Sequence, residues 1–126
     1  MLNDKKLMAF VCTGDADRAR GFYRDVLGLE LKEEHAFALV FDANGTELRV
    51  AKVAALQPAQ HTVLGWQVPD IEATIGEMEK AGVRLNRYEG IGQDERGIWT
   101  APGGAKIAWF PDPDGNVLSI TEYPLV

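Results

Sequence analysis

The sequence predicts an α+β fold made of two tandem modules, each with the order strand, helix, strand, strand, strand. Three observations support this prediction. Two aspartates suited to begin a helix, Asp15 and Asp70, are 55 residues apart, and two glycines suited to end one, Gly28 and Gly82, are 54 apart. Strand and helix patterns follow one another in the same order twice. The modules are expected to span residues 1–57 and 58–126 of a single domain.

The first module starts with an apolar strand predicted over residues 6–12. The segment 16–27 has apolar side chains at spacings of three and four, which is typical of an amphipathic helix. Three strands are expected next, and Asn44-Gly45 marks a tight hairpin turn before the last of them. Their predicted ranges are 29–33, 36–41 and 46–53.

The second module repeats this order after a short linker. A strand is predicted over 61–68, a helix over 71–81, and Asp114-Gly115 belongs to the turn before the last strand. The three strands after the helix are predicted over 83–88, 106–110 and 116–122. The extra length of this module lies in the glycine-rich segment 89–104, which is expected to be either a mobile loop over a site or a surface excursion without function.

The composition describes one acidic globular domain. The 126 residues include 13 Lys and Arg against 19 Asp and Glu, which gives a net charge of −6. Nucleic acids and anionic membranes attract basic faces, so neither is expected as a partner. No apolar stretch is long enough to span a bilayer, and the first residues lack a secretory signal, so a cytoplasmic location is expected. The single cysteine, Cys12, stands in an apolar run and is predicted to be a small core residue.

Two runs of residues carry a resemblance to a known family. One is Phe22-Tyr23-Arg24-Asp25-Val26-Leu27-Gly28-Leu29, and the other is Asp112-Pro113-Asp114-Gly115-Asn116. With the duplicated module order, they make the chain similar to the glyoxalase, bleomycin-resistance and extradiol-dioxygenase superfamily, also called vicinal oxygen chelate proteins. The resemblance implies a glyoxalase-like fold in which the two modules form a curled mixed sheet around a shared cleft, commonly completed by a homodimer.

In metal-using members, the resemblance implies a divalent ion held by His, Gln or Glu at one position on each of four strands. The corresponding positions here are Met8, Arg49, Val63 and Ser119. None of these side chains suits a divalent ion, so no metal and no other cofactor is expected. A shift by two residues would bring His61 and Glu47 forward, which makes them weak candidates for a displaced metal site or for catalysis.

Strand alternation predicts the side chains that face the cleft. It places Val63 and Gly65 on one face with Val117 and Ser119. The predicted ligand-binding residues are Arg49, Ser119, Met8, Val63, Phe10, His61, Trp99 and Thr121. Trp99 is the best candidate for stacking on a planar molecule, whereas Trp109 is expected in the core or in a dimer interface.

Arg49 has two interpretations. It pairs with Glu47 on its own strand, or it binds an anionic ligand such as a carboxylate through two hydrogen bonds.

The expected function is metal-free binding of a small organic molecule, as in the bleomycin-resistance branch, with sequestration of a drug or a metabolite. The alternative is a lyase, isomerase or dioxygenase that depends on a divalent metal, similar to lactoylglutathione lyase or to the dioxygenases of the superfamily. A third hypothesis is an acid–base enzyme that uses His61 and Glu47. Whether the protein is an enzyme stays open at this point. The expected partners are the small ligand and a second copy of the chain.

Overall fold

The computed structural model describes residues 1–125 and divides the chain into two compact units. The first unit is Met1–Pro58, and the second begins at Ala59. Each unit contains one four-stranded mixed sheet and one helical stretch. The predicted α+β fold with two tandem modules is therefore confirmed.

The sheet of the first unit has four strands. They are β1 Met8–Thr13, β2 Glu30–Glu34, β3 Ala38–Ala43 and β4 Thr46–Lys52. Their order in the sheet is β1-β4-β3-β2, with β1 parallel to β4 and the other pairs antiparallel. Asn44 and Gly45 have φ angles of 52° and 94° in the two-residue turn between β3 and β4, as an Asn-Gly pair predicts.

The helical stretch of the first unit begins after Asp15, whose side chain caps its first turn as predicted. The stretch is α-helical over α1, Ala16–Arg20, and continues as a π-helix over Gly21–Val26. The prediction of a single α-helix over 16–27 is therefore wrong in its second half. At the end of the stretch the Leu27 amide bonds to the Phe22 carbonyl, five residues back, which widens the turn.

One face of the first sheet is buried and the other is open. Val50 faces the core, and its neighbours along β4 do not, because side chains alternate along a strand. Tyr23 from the π-helix is fully buried, and its ring centre lies 5.8 Å from that of Phe41. On the other face, Met8 is 44% exposed and Phe10 is 60% exposed.

Cys12 lies on this open face and is exposed, so its prediction as a core residue is wrong. It pairs with Ala51 in the same register that pairs Phe10 with Arg49. The apolar run that suggested burial alternates sides as a strand, and Val11, on the other side, is the buried member.

The second unit repeats the architecture with a shorter edge strand. Its elements are β5 Thr62–Gln67, α2 Ile71–Lys80, β6 Trp99–Thr100, β7 Lys106–Pro111 and β8 Val117–Glu122. The strand order is β5-β8-β7-β6, with β5 parallel to β8. Asp70 caps α2 as predicted. No helix in the described part of the chain has the length and apolar character needed to cross a membrane.

The strand predicted over 83–88 is wrong, and β6 takes the edge position instead. The Gln93 side chain occupies the backbone groups that a strand would use. Its Oε1 accepts a hydrogen bond from the Tyr88 amide at 2.6 Å, and its Nε2 donates to the Asn86 carbonyl at 3.0 Å. Because a side chain satisfies these two groups, the segment does not continue as a strand, although the Asn86 amide still donates to the Trp109 carbonyl on β7 at 2.7 Å.

Candidate functional site

The open face of the first sheet brings together the predicted binding residues of the first unit. Phe10 on β1 pairs with Arg49 on β4, and Arg49 pairs with Val40 on β3, so the three side chains form one row. Met8 and Glu47 pair in the adjacent row. Arg49 therefore lies between two apolar neighbours on an inner strand of the sheet.

The Arg49 side chain is 30% exposed and has two polar neighbours. Nη1 lies 3.4 Å from Oε2 of Glu47, and Nη2 lies 3.1 Å from Nε2 of His35. We refer to Arg49, Glu47 and His35 as the Arg49 cluster. A guanidinium carries five N–H donors. Beyond these two contacts, the Arg49 side chain has no polar partner within residues 1–125, so most of its N–H donors are available.

His35 was not singled out by the sequence, because it follows a run of charged residues without a recognisable motif. The Phe37 amide donates to its Nδ1 at 3.2 Å. A neutral imidazole accepts at one nitrogen and carries the proton on the other, so His35 accepts from the Phe37 amide or from Arg49 but not from both. With Nδ1 as the acceptor, the proton lies on Nε2. A carboxylate oxygen of Glu33 lies 3.9 Å from Nε2, beyond hydrogen-bond distance.

Arg20 provides an internal comparison, because its guanidinium is fully paired. Its Nε and Nη2 donate to the two carboxylate oxygens of Glu34 at 2.8 and 2.7 Å, and its Nη1 donates to Asp17 at 2.9 Å. Hydrogen bonds from Arg20 and then from Lys52 lower the pKa of Glu34 to about 2. Hydrogen bonds to Glu34 and then to Asp17 raise the pKa of Arg20. Arg49 has one long contact to one carboxylate, so fewer of its N–H donors are paired than those of Arg20.

A cavity of about 410 Å³ adjoins the Arg49 cluster within the first unit. Glu47 lines it together with Met8 and Val40. The other charged side chains of its wall have both signs: Lys6, Lys32, Glu33 and Asp42. Pockets that bind small molecules have volumes of about 300–1,000 Å³. This cavity is large enough for a small organic molecule.

The second sheet carries an aromatic cluster. Trp109 on β7 lies opposite Ser119 on β8, which lies opposite Gly65 on β5. The ring centre of Trp109, which is half-buried, is 5.5 Å from that of Tyr88 and 6.1 Å from that of Trp99. Trp99, the residue predicted to stack on a ligand, thus contacts another indole. The sequence does not predict Tyr88 in this aromatic cluster, because its segment has the pattern of a regular strand.

Gly65 approaches Ser119 closely. A Cβ atom at position 65 would lie 2.9 Å from the Ser119 Oγ, which is shorter than side chains tolerate. Ser119, a predicted ligand-binding residue, is buried. Thr121, another predicted ligand-binding residue, is half-buried and pairs with Ile107 on β7.

The predicted alternation of β5 fails at its start. Thr62 pairs with Val117 and Leu64 pairs with Leu118, so Val63 is the extra residue of a β-bulge. The regular alternation expected along β5 is therefore interrupted at Val63, and Gly65 lies opposite Ser119. His61 is exposed and precedes the strand.

The glycine-rich segment is held by its own side chains. Gln93, besides its bonds to residues 86 and 88, donates to the Gly97 carbonyl at 2.8 Å. Asp94 accepts hydrogen bonds from the amides of residues 96 and 98. The Gln93 bonds fix the backbone of Tyr88, whose ring meets Trp109 edge to face.

A larger cavity, of about 540 Å³, lies within the second unit beside the end of α2. Three arginines line it, and two of them have partners. Arg96 bonds to Glu79 at 2.7 Å, and Arg87 bonds to the carbonyls of residues 94 and 95. None of the residues predicted to bind a ligand lines this cavity. It is therefore a weaker candidate than the smaller cavity.

The four positions implied for a metal do not fit a divalent ion. They carry a thioether, a guanidinium, an isopropyl group and a hydroxyl, from Met8, Arg49, Val63 and Ser119. The cation of Arg49 repels a metal ion. The other candidates, Glu47 and His61, would supply two ligands at most, and residues 1–125 contain no group of three or more His, Cys, Asp or Glu side chains that could hold a metal.

Solved structures share this fold. A glyoxalase family protein from Enterococcus faecalis superposes with a TM-score of 0.74 at 20% identity, over 97% of this chain and 100% of that chain. A superfamily member from Sphaerobacter thermophilus gives 0.73 at 20% identity, over 97% and 99%. Lactoylglutathione lyase from Agrobacterium tumefaciens gives 0.71 at 18% identity, over 94% and 93%. At these identities the likeness establishes the fold alone.

The sequence has no significant match among curated proteins. Residues 7–120 match the sequence model of the Glyoxalase/Bleomycin resistance protein/Dioxygenase superfamily. This match covers most of the chain and agrees with the duplicated modules. The chain belongs to the glyoxalase, bleomycin resistance protein and dioxygenase superfamily.

Proposed function

We propose that this protein binds a small organic molecule on the open face of its first sheet, without a metal. The observation that carries the proposal is the position of Arg49. It places a permanent cation on the inner strand β4, where the resemblance implies a metal ligand. The same guanidinium has most of its donors free for a ligand.

Exposed apolar side chains next to a cavity also support this proposal. Met8 and Phe10 are large and accessible, and Met8 lines the 410 Å³ cavity. Apolar side chains of this kind provide contact area for the apolar part of a small molecule. We propose sequestration of a drug or a metabolite as the use of this site, in a protein that forms homodimers.

Native mass spectrometry with metal analysis on the same purified sample tests the proposal. We expect a metal-free dimer that either retains an organic molecule or acquires one from a compound library, with a rise in melting temperature. The Arg49→Leu variant is expected to lose this binding. Arg20→Leu is the matched control, because it removes an arginine of the same unit and should keep the binding.

Stoichiometric zinc, nickel, manganese or iron, retained through purification and needed for turnover of a substrate, would overturn the proposal. That result would favour the metal-dependent lyase, isomerase or dioxygenase. A protein stabilised by divalent ions and by no organic compound would count against it in the same way.

A further inference from the structure

Two hydrogen-bond donors of the Arg49 cluster converge without an acceptor between them. His35 faces two N–H donors, the Phe37 amide at Nδ1 and Arg49 Nη2 at Nε2, at 3.2 and 3.1 Å, and a neutral imidazole accepts at only one nitrogen. With Nδ1 accepting from Phe37, Nε2 carries the proton and its N–H group faces that of Arg49. Glu33 stands 3.9 Å from Nε2, and Glu47 contacts Nη1 rather than Nη2. An acceptor that receives hydrogen bonds from both N–H groups would satisfy this pair.

The positive charge of Arg49 is only partly balanced. Glu47 approaches it with one oxygen at 3.4 Å, whereas both oxygens of Glu34 hold Arg20 at 2.7 and 2.8 Å. Arginine binds carboxylates most strongly through two parallel N–H···O bonds. Arg49 retains donors for a pair of this kind.

The surroundings of Arg49 strengthen such a pair. Phe10 and Val40 flank it within its row, and Met8 stands in the adjacent row beside the cavity. Apolar neighbours lower the local dielectric and raise the attraction between opposite charges. They also provide a surface for the apolar part of a ligand.

We infer that the ligand of this site is an organic monocarboxylate, whose oxygens accept hydrogen bonds from Arg49 and His35 and whose apolar part lies against Phe10 and Met8. The inference rests on the proposed function and adds the chemical class of the ligand. The carboxylates of Glu33 and Glu47 are close enough to disfavour a second negative charge on the ligand.

The same donors give the site a means of discrimination. A carboxamide of the same shape offers one acceptor oxygen, and its NH₂ group faces donors instead of acceptors. A site built from donors rejects an analogue that leaves them unpaired. The matched pair of phenylacetate and phenylacetamide therefore separates charge recognition from apolar packing.

The test follows the arginine Nε–H resonances of the full-length, ¹⁵N-labelled protein in NMR titrations with acetate, phenylacetate and phenylacetamide, up to tens of millimolar. The Arg49 resonance is expected to shift saturably with both carboxylates, more tightly with phenylacetate, and not with the amide. The Arg20 resonance is the control within the same sample, and it should stay in place because Glu34 occupies that guanidinium.

Four substitutions sharpen the result. Glu47→Gln removes the carboxylate that competes with the ligand for Arg49. It should tighten phenylacetate binding about two- to five-fold, since an exposed ion pair of this kind changes an equilibrium constant by a factor of about that size. Arg49→Leu should abolish binding. His35→Phe should weaken it, and His35→Gln, which restores an N–H donor, should recover part of the loss.

An unshifted Arg49 resonance, or equal responses to phenylacetate and phenylacetamide, would overturn the inference, as would weaker binding in Glu47→Gln. Binding of uncharged compounds to the same face in that case would leave the proposed function intact. A bound metal would instead overturn the proposed function, so the two failures are distinguishable.

Discussion

Arg49 and Glu47 are two residues apart on β4, with their side chains on one face, and Nη1 of the first lies 3.4 Å from Oε2 of the second. The alternation of a strand is enough to bring them this close. The contact is long, involves one oxygen, and is partly exposed at both ends. Ion pairs of this kind contribute about 0–1 kcal/mol to stability.

Replacement of Arg49 by Leu should therefore leave the fold nearly as stable as before. We expect the free energy of unfolding to change by less than about 1 kcal/mol, because a weak ion pair is lost and an apolar side chain joins Phe10 and Val40. Urea denaturation followed by circular dichroism measures this change.

The matched control for stability is Arg20→Leu. It breaks the two-oxygen pairing with Glu34 and the bond to Asp17, so it should destabilise the protein more than Arg49→Leu does. A larger loss for Arg49→Leu than for Arg20→Leu would identify Arg49 as a structural residue and contradict this prediction.

Stability should fall in acid because of Glu34. Its pKa is lowered from 4.5 to about 2 in the folded protein by hydrogen bonds from Arg20 and Lys52. A carboxyl group with a lowered folded pKa stabilises the fold above its unfolded pKa and loses that contribution as pH falls through the folded value. The contribution should be present in full above pH 4.5 and disappear toward pH 2.

Urea unfolding of the wild type and of Glu34→Gln between pH 6 and pH 2 checks this dependence. The wild type should be the more stable protein at pH 6, and the difference should close as the pH approaches 2. A difference that stays constant down to pH 2 would show that the charge of Glu34 is not its source.

Much of the fold follows from local signals in the sequence. Asp15 and Asp70 cap helices because a carboxylate before an amphipathic segment accepts the free amides of the first turn. The Asn44-Gly45 pair makes the β3–β4 turn because both residues tolerate a positive φ. These signals involve neighbours within a few residues and need no knowledge of packing.

The misplaced elements depend on interactions that local patterns do not encode. The strand predicted over 83–88 fails because Gln93, several residues further on, bonds to its backbone. Val63 falls outside the β5–β8 register because β5 has one extra residue at this point, a β-bulge. Periodicity does not reveal a bulge, since the residues on both sides keep a strand-like pattern.

The candidate site also contains one residue that local patterns predict and one that they do not. The sequence predicts Arg49 as a binding residue because its position in the repeat and the alternation of side chains along β4 place it on the open face. His35 was missed because it meets Arg49 from a turn 14 residues earlier in the chain. Only the pairing of β3 with β4 brings this turn to the open face.

Gln93 should stabilise the second unit through its three hydrogen bonds. Gln93→Leu removes the acceptor for the Tyr88 amide and the donors for the Asn86 and Gly97 carbonyls. We expect a loss of about 2–3 kcal/mol in the free energy of unfolding, since each hydrogen bond contributes about 1 kcal/mol and two of the three are partly buried. Exchange of the Tyr88 amide hydrogen, measured by NMR, should accelerate.

Gln93→Glu and Glu89→Ala serve as controls for this experiment. Gln93→Glu keeps the acceptor for Tyr88 and loses the donors, so its stability should fall between those of the wild type and Gln93→Leu. Glu89 is exposed and makes no hydrogen bond within residues 1–125, so its loss should have little effect. Equal stability of Gln93→Leu and Glu89→Ala would contradict the role given to Gln93.

The contact between Gly65 and Ser119 predicts a coupled pair of substitutions. Gly65→Ala places a Cβ 2.9 Å from the Ser119 Oγ and should destabilise the protein by about 1–2 kcal/mol through overpacking. Ser119→Ala removes that oxygen, so the double variant should recover about 1 kcal/mol of the loss. Urea denaturation of the four proteins in the cycle measures this coupling.

Gly76→Ala is the matched control for a glycine with free space around it. A Cβ at position 76 of α2 meets no atom within 4 Å, so alanine should stabilise the helix by about 0.5–1 kcal/mol. If Gly65→Ala destabilises the protein while Gly76→Ala stabilises it, the loss of stability at position 65 is due to crowding against Ser119. Destabilisation by Gly65→Ala that persists unchanged in the Ser119→Ala background would contradict this explanation, because the atom responsible for the crowding would then be absent.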